Sequence, residues 1–265
     1  MKKDHTAVGV AVGALVVVLV AMFFFTAKST VVSTTSTTLT TIPITAEETV
    51  ADSPAEYTTI EPSPDGIGKV YLGREISKVM GHPAIGWLER DSRESEEQVS
   101  KAIQALDLDL DTVIADIGAG SGYYSYRIAP LVSEGKVIAV DIQPEMLAFL
   151  RQRSAELGVT NVEPALGKVD DIGLAPESID AALMVDAYHE FSHPAEMLRS
   201  IRLALRPGGK VFLLEYRAED PDVPIKPLHK MTQAQAINEL EAAGLIFVEN
   251  IDVLPWQHLM IFEKR

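Results

Sequence analysis

The sequence contains no cysteine among its 265 residues. That absence excludes disulfide bonds, zinc sites built from thiolates and cysteine nucleophiles. The six histidines are scattered along the chain, without thiols to complete a cluster, which gives little support to a metal centre. We therefore expect a protein that binds no metal.

Basic residues are also scarce. Lysine and arginine together number 23 against 38 aspartates and glutamates, a formal net charge of −15. A polyanion such as DNA or RNA would be repelled by this charge instead of gaining the favourable release of its counterions. Nucleic acid is therefore excluded as an expected partner, and the sequence indicates no oligomeric state.

Long apolar runs are absent except at the N-terminus, where residues 7–27 carry no charge. As a helix this run spans about 30 Å, enough to cross a membrane. A cleaved signal peptide is the alternative, but its apolar stretch is typically about 7 to 15 residues long. Because Lys2 and Lys3 precede the run, we expect residues 1–28 to be a single-pass anchor with the remainder outside the cytoplasm.

Residues 29–64 are rich in threonine, serine and proline. Such a segment buries too little apolar surface to offset the entropy that ordering would cost. We expect a disordered tether between the membrane and a folded domain.

Short apolar and β-branched runs follow the tether and alternate with amphipathic stretches. This alternation predicts a doubly wound, mostly parallel sheet whose strands are buried on both faces. The last two runs, 245–254 and 258–264, are separated only by a short turn and predict a hairpin with an antiparallel final strand. The other predicted strands are 112–119, 136–142, 161–167, 179–187 and 210–217, and the predicted helices are 122–131, 144–157, 194–205 and 233–243.

The stretch "DIGAGSG", residues 116–122, lies between the first predicted strand and its helix. Its three glycines let the backbone turn tightly and approach a ligand. A dinucleotide fingerprint would need a small residue where this chain has Tyr123. Asp116 would also repel a pyrophosphate, by a few kcal/mol at about 4 Å. A ligand end that carries an ammonium group fits better.

The second predicted strand ends at Asp141, at the spacing of roughly 20 residues from the glycine loop that ribose-binding acids show. A carboxylate there accepts hydrogen bonds from both ribose hydroxyls, and Ile142 can lie against an adenine face. Together with the ammonium group at the glycine loop, this describes a ribonucleoside with an amino-acid-like tail. S-adenosylmethionine is such a molecule, and we predict it as the cofactor.

These motifs resemble the class I S-adenosylmethionine-dependent methyltransferases of the small-molecule type. The matching stretches are "VIADIGAGSGYYS", "GKVIAVDIQPEML", "IDAALMVDAYHEFSHPAEMLRSIRLALRPGGKVFLLEYR" and the closing hairpin. The resemblance implies a Rossmann-like, seven-stranded sheet in the order 3-2-1-4-5-7-6, formed by residues 111–265. It also implies that residues 65–110 are a helical lid over the cofactor, with Trp87 facing the substrate.

Site residues follow from the resemblance, position by position. The loop around the methionine part of the cofactor matches Asp116, Gly118, Gly120 and Gly122, and the ribose-binding acid matches Asp141. Asp186, after the fourth strand, matches a position that borders cofactor and substrate. Many relatives have an acid directly after the third strand's glycine, where this chain has Lys168, and Asp170 is the alternative partner of the adenine amino group.

The stretch "DAYHEF" places three candidate catalytic residues where the transferred methyl group should lie. His189 is a candidate base for an acceptor hydroxyl, with Glu190 or Asp186 to orient it. The alternatives are that His189 caps the next helix and that Tyr188 only packs. A proline-rich loop at 215–231 places His229 and Lys230 at the substrate side.

We therefore expect an enzyme that transfers a methyl group by in-line displacement to a small or lipid-like acceptor. A catalytically silent, cofactor-binding interaction module is the first alternative. A nicotinamide-dependent oxidoreductase is the second, although Tyr123 and Asp116 disfavour it.

Overall fold

The computed structural model describes residues 56–265, which form ten strands and seven α-helices. The strands are β1 (Tyr57–Thr59), β2 (Gly66–Tyr71), β3 (Arg74–Ser77), β4 (Val113–Ile117), β5 (Lys136–Asp141), β6 (Val162–Leu166), β7 (Ile179–Val185), β8 (Leu205–Tyr216), β9 (Ile246–Asn250) and β10 (Gln257–Glu263). The helices are α1 (Ile85–Leu88), α2 (Arg93–Glu97), α3 (Val99–Ala105), α4 (Ser125–Ile128), α5 (Pro144–Leu157), α6 (Pro194–Ala204) and α7 (Gln233–Ala242).

Seven of the strands form one sheet in the order β6-β5-β4-β7-β8-β10-β9. Strand β10 runs antiparallel to both β8 and β9, and the remaining pairs are parallel. When only the seven strands of this sheet are numbered along the chain, from β4 as 1 to β10 as 7, the order is 3-2-1-4-5-7-6. The predicted Rossmann-like fold and its antiparallel final strand are therefore confirmed.

Two apolar layers cover the faces of this sheet. Successive side chains of a strand point to opposite faces, so Ile114 of β4 lies in one layer and Ala115 in the other. Helices α3 and α5 pack in the first layer, and α6 and α7 pack in the second. Each fully buried large aliphatic side chain contributes about 1.5 to 3 kcal/mol. The layers thus hold the sheet, and the loops at its carboxyl edge are free to build a site.

The helices begin and end close to the predicted residues, with one exception. Gly158 ends α5 in the left-handed conformation at φ 66°, as the sequence indicated. The backbone N–H of Gln235 donates to Thr232 Oγ1 (3.1 Å) at the start of α7, although the Gln235 side chain donates elsewhere and completes no capping box. Helix α4 is much shorter than the predicted 122–131, because the glycine loop continues as turns up to Tyr124.

The N-terminal part of the described region differs from the prediction. Strands β1, β2 and β3 form a separate antiparallel sheet, so the end of the predicted tether, from Tyr57 on, is folded, and the segment 65–110 begins with a hairpin, not with a helix. Residues 29–55 of the predicted tether lie outside the described residues. Tyr57 supplies the reason for the early start, since its ring packs 5.4 Å from that of Tyr71 and lies 3.8 Å from Lys69 Nζ. One aromatic side chain thus anchors a threonine-rich segment.

The predicted membrane anchor, residues 1–28, lies outside the described residues. Within residues 56–265, no helix is long and apolar enough to cross a membrane.

A buried ion pair joins the N-terminal hairpin to the main domain. Arg74 Nε and Nη2 donate to the two carboxylate oxygens of Glu239 on α7, at 2.7 and 2.8 Å. Arg74 Nη1 and Ser77 Oγ also donate to the backbone carbonyl of His189, at 3.1 and 3.2 Å. The hairpin therefore fixes the backbone at His189 as well as its own position.

We expect Arg74→Ala to lower the free energy of unfolding by about 3 to 5 kcal/mol, because it leaves the Glu239 carboxylate buried without its cation. The control is Arg206→Ala, which breaks an ion pair with Asp180 whose side chains are 44% and 38% exposed and should cost at most about 1 kcal/mol. Urea denaturation of the full-length variants measures both. Equal losses would contradict the structural role of Arg74.

Candidate functional site

A cavity of about 430 Å³ lies at the carboxyl ends of β4, β5, β7 and β8. Each of these strands contributes to the cavity wall a residue at or just after its end, in the same order Gly118, Asp141, Asp186 and Tyr216. Ligands of open α/β sheets bind at this edge. The volume falls in the range of about 300 to 1,000 Å³ that is usual for small-molecule sites.

The glycine loop supplies bare backbone to the cavity. The N–H groups of Gly118 and Ala119 donate to the carbonyl of Val140, at 2.9 and 3.0 Å, which folds the loop back over β5. Gly118 and Gly120 both have positive φ and line the cavity, and a Cβ at Gly118 would lie only 2.7 Å from that of Ala187. No other residue fits Gly118 without strain.

The third glycine has a different role. Gly122 is not part of the cavity wall, and a Cβ there would lie 2.5 Å from Leu150 Cδ2 on α5. This glycine allows close packing of the loop on α5 instead of approaching a ligand.

Asp141 lies at the end of β5, where the sequence predicted the ribose-binding acid. Its Oδ2 accepts from the N–H of Gly120 (2.9 Å) and its Oδ1 from the N–H of Gln143 (2.8 Å). Burial raises its pKa above the ordinary value, and the backbone N–H donors oppose that rise. Each oxygen keeps a further lone pair, and the carboxylate lines the cavity beside the partly exposed Ile142.

Lys168 and Asp170, both named above in connection with the adenine amino group, lie in different places. Lys168 and Val169 line the cavity next to Ile142. The exposed Asp170 does not, and lies in a shallow depression on the far side of Lys168, together with Asp171 and Glu196. The structure thus places Lys168 on the cavity wall beside Ile142 and Asp170, the predicted adenine contact, outside that wall.

Asp116 is buried behind the glycine loop and is not part of the cavity wall. Its Oδ2 accepts from Ser125 Oγ at 2.6 Å, which ties β4 to α4. Burial raises the pKa of Asp116 to about 6, and the hydrogen bond from Ser125 opposes that rise. Its place is therefore beneath the loop, which it supports.

Asp186 reaches the cavity directly after β7, in the left-handed conformation at φ 49°. Gln257 Nε2 donates to its Oδ2 at 2.8 Å, whereas its buried Oδ1 has no hydrogen-bond partner among the described residues. Burial, with the nearby Glu97 and Glu215, raises its pKa well above the ordinary value. An unpaired buried acceptor costs about 1 to 3 kcal/mol and suits a cationic donor such as an ammonium group.

Arg93 is a cavity residue that the sequence reading missed. Its Nε donates to Glu97 Oε2 at 2.8 Å, and its guanidinium lies 4.6 Å from the centre of the Tyr123 ring. It is 5% exposed and lines the cavity with Arg90, so a buried cation faces the cavity. No local pattern marks it, because the stretch around it is rich in charged residues, which are usually exposed.

The structure brings His189, Glu190 and His229 together on the wall of the cavity. The Nδ1 of His189 lies 2.6 Å from Glu215 Oε2, and its Nε2 lies 3.1 Å from His229 Nδ1. Burial favours the neutral imidazole, but Glu215 together with Glu190 outweighs this and raises the pKa of His189. His189 therefore contacts a carboxylate with one ring nitrogen and keeps the other at the cavity.

Tyr188 and Lys230 point away from this cluster. The Tyr188 hydroxyl donates to Glu239 Oε2 at 2.7 Å, in the buried ion pair with Arg74. Lys230 Nζ donates to the carbonyls of Asp220 and Val223 within its own loop.

The rim of the cavity carries Trp87 and Lys226. Trp87 is 45% exposed, with the Arg90 guanidinium 3.9 Å from its ring centre. Lys226 lines the cavity in the loop where the sequence pointed to Lys230.

We expect Asp116→Asn to raise the free energy of unfolding by up to about 3 kcal/mol at pH 7.5. Folding raises the pKa of Asp116 from 3.8 to about 6, so the ionised form opposes folding above pH 6. The gain should fade as the pH falls through 6 towards 4, because the wild-type carboxyl then binds a proton on folding. Denaturation at pH 7.5 and at about pH 4 measures this gain. The control is the exposed Asp170→Asn, which should change the free energy of unfolding by at most about 0.5 kcal/mol. A gain independent of pH would contradict the assignment.

Comparisons with known proteins agree with this geometry. A family model described as a methyltransferase domain matches residues 108–260. An uncharacterized methyltransferase-like protein of Schizosaccharomyces pombe is 35% identical over 118 residues, 44% of this chain and 43% of that protein. A ubiquinone/menaquinone biosynthesis C-methyltransferase of Salmonella arizonae is 27% identical over 141 residues, 52% of this chain and 55% of that protein. The chain thus spans about half the length of these curated relatives.

Among solved structures, an S-adenosylmethionine-dependent methyltransferase from Aquifex aeolicus has the same fold. It superposes with a TM-score of 0.67 at 23% identity, covering 71% of this chain and all of that one.

Proposed function

Because the chain belongs to the methyltransferase domain family, within the class I S-adenosylmethionine-dependent methyltransferases, we propose that it transfers the methyl group of S-adenosylmethionine to a small acceptor beside His189. The observation that carries this proposal is the continuity of the cavity. The glycine loop and Asp141 line one part of its wall, and His189, Glu190 and His229 line another part of the same wall.

The residues around the glycine loop and Asp141 fit the cofactor group by group. The carboxylate of Asp141 suits the ribose hydroxyls, and the unpartnered Oδ1 of Asp186 suits the ammonium group. Arg93 offers a buried cation for the carboxylate of the methionine part. Gly118 and Gly120 leave the room that a Cβ would fill.

S-adenosylmethionine carries its own leaving group, so the protein mainly has to hold donor and acceptor in line. Such positioning supplies about 7 to 11 kcal/mol of barrier reduction. The single cavity does this, because both partners share one enclosed space bounded by the ends of β4, β5, β7 and β8.

The residues around His189 suit an acceptor with an ionisable proton and an apolar body. Glu215 holds His189 Nδ1, and the Nε2 atom of the same ring lies 3.1 Å from His229 Nδ1 on the cavity wall, where an acceptor would meet both imidazoles. A hydroxyl is the simplest group that needs such help, since it is a weak nucleophile until its proton is removed. Val79, Phe191 and Ile225 line the cavity as apolar walls for the rest of the acceptor.

The activity is tested by incubating the full-length protein with methyl-labelled S-adenosylmethionine and extract fractions, and identifying the labelled product by mass spectrometry. We expect a labelled small molecule and release of S-adenosylhomocysteine. Tight cofactor binding without transfer to any fraction would favour the silent module, and binding of NADH in place of S-adenosylmethionine would contradict the proposal.

We expect Asp141→Asn to weaken S-adenosylmethionine binding roughly tenfold to hundredfold, because an amide loses the charge-assisted hydrogen bonds to the ribose. The matched control is Asp170→Asn, which changes an exposed acid outside the cavity and should leave the affinity unchanged. Calorimetric titration measures both. A larger effect at Asp170 would reverse the assignment of the two acids.

A further inference from the structure

Three potential metal ligands converge on the wall of the cavity. His189 Nε2 lies 3.1 Å from His229 Nδ1 and 3.9 Å from Glu190 Oε1, and the last two atoms are 3.5 Å apart. A tetrahedral ion with bonds near 2.0 to 2.1 Å separates its ligands by roughly 3.3 to 3.4 Å. The three side chains therefore already have the spacing of a ligand set.

Two carboxylates and one backbone N–H group lie close to the other polar atoms of these side chains. Glu215 Oε2 contacts His189 Nδ1 at 2.6 Å, the arrangement that orients metal-bound histidines in proteins. On the other imidazole, His229 Nε2 faces Asp65 Oδ2 at 4.0 Å. Glu190 Oε2 accepts from the backbone N–H of Met80 at 3.1 Å. The second polar atoms of His189 and Glu190 are thus held by hydrogen bonds, and that of His229 has a carboxylate nearby.

One carboxylate oxygen of Glu190 has no hydrogen bond within residues 56–265. Glu190 Oε1 is buried and has no hydrogen-bond donor among the described residues. The two imidazole nitrogens lie 3.5 and 3.9 Å from it. A buried carboxylate oxygen beside two imidazoles is the environment that a divalent cation compensates.

We propose that His189, Glu190 and His229 bind one divalent first-row transition-metal ion, with Zn²⁺ as the reference. Two imidazoles and one carboxylate suit such an ion, whereas Mg²⁺ and Ca²⁺ prefer oxygen ligands throughout. All three residues line the cavity, so the open coordination position faces the space for the acceptor. Three protein ligands with an open position are typical of a catalytic site.

The role of the ion rests on the proposed methyl transfer. An acceptor hydroxyl that coordinates the ion would have a lowered pKa and lose its proton to solvent water. The ion would also fix the acceptor oxygen beside the cluster, inside the cavity that Asp141 lines as well. His189 would then act as a ligand instead of as the base.

The sequence pointed away from this site, because 40 positions separate two of the ligands, His189 and His229. The histidine at helical spacing from His189 is His193, and it is not a cavity residue. Its Nδ1 contacts Ser192 Oγ at 3.0 Å, at the start of α6. It therefore serves as the matched histidine for a control.

The test measures the metal itself. The full-length protein is stripped with a chelator, dialysed against Zn²⁺ and analysed for bound metal, and its Zn²⁺ affinity is measured by competition with a fluorescent chelator. We expect one equivalent per chain in the wild type. We expect His229→Ala and Glu190→Gln to weaken binding by at least about 100-fold, and His193→Asn, with a good helix-capping residue at that position, to leave it unchanged.

A substitution with Co²⁺ gives a second readout. Coordination by two imidazoles and a carboxylate should produce visible d–d absorption in the wild type and in His193→Asn, and the absorption should be lost in His229→Ala. His229 lies in a loop and is partly exposed, and circular dichroism confirms that the variant folds. No stoichiometric binding in the wild type, or equal binding in all variants, would overturn the proposal.

Failure of the metal site and failure of the proposed function give different results. Metal-free protein that binds S-adenosylmethionine and transfers methyl groups at the wild-type rate would overturn the metal role and leave methyl transfer standing. Protein that binds Zn²⁺ through these residues but never binds S-adenosylmethionine would support the site and contradict the function.

Discussion

The contact between His189 Nδ1 and Glu215 Oε2 is the interaction on which the cavity wall around His189 depends. It joins the segment after β7 to the end of β8, while Arg74 and Ser77 hold the carbonyl of the same histidine from the N-terminal hairpin. The ring of His189 is thus held by β8 and its backbone by the hairpin. The orientation of the ring at the cavity depends on the packing of both.

The cavity wall carries charges of both signs, in a chain whose formal net charge is −15. Asp141, Asp186 and Glu190 all reach the cavity, and Arg90, Arg93, Lys168 and Lys226 supply the positive charge on its wall. Such a concentration of carboxylates opposes folding unless cations approach them. A sulfonium cofactor with an ammonium group, and a metal ion beside Glu190, would both lower that electrostatic cost.

Local signals explain which parts of the fold could be predicted. The strands after residue 110 are continuous apolar runs and the glycine loop needs positive φ, so both are encoded by neighbouring residues. The early strand at Tyr57 was missed because its stability comes from Tyr71 and Lys69, which no local pattern shows. The length of α4 was overestimated because apolar periodicity does not reveal where a loop still turns.

The sequence by itself determined the fold and the glycine loop with Asp141 behind it, because glycines, strand ends and the Asp141 spacing act over short stretches of chain. Only the tertiary structure decided which other residues form the cavity wall. It placed Lys168 on the cavity wall and Asp170 outside it, put Tyr188 on Glu239, buried Arg93 and joined His229 to His189. The physical reason is that a side chain's partners across the sheet are set by packing between elements, which spacing along the chain does not record.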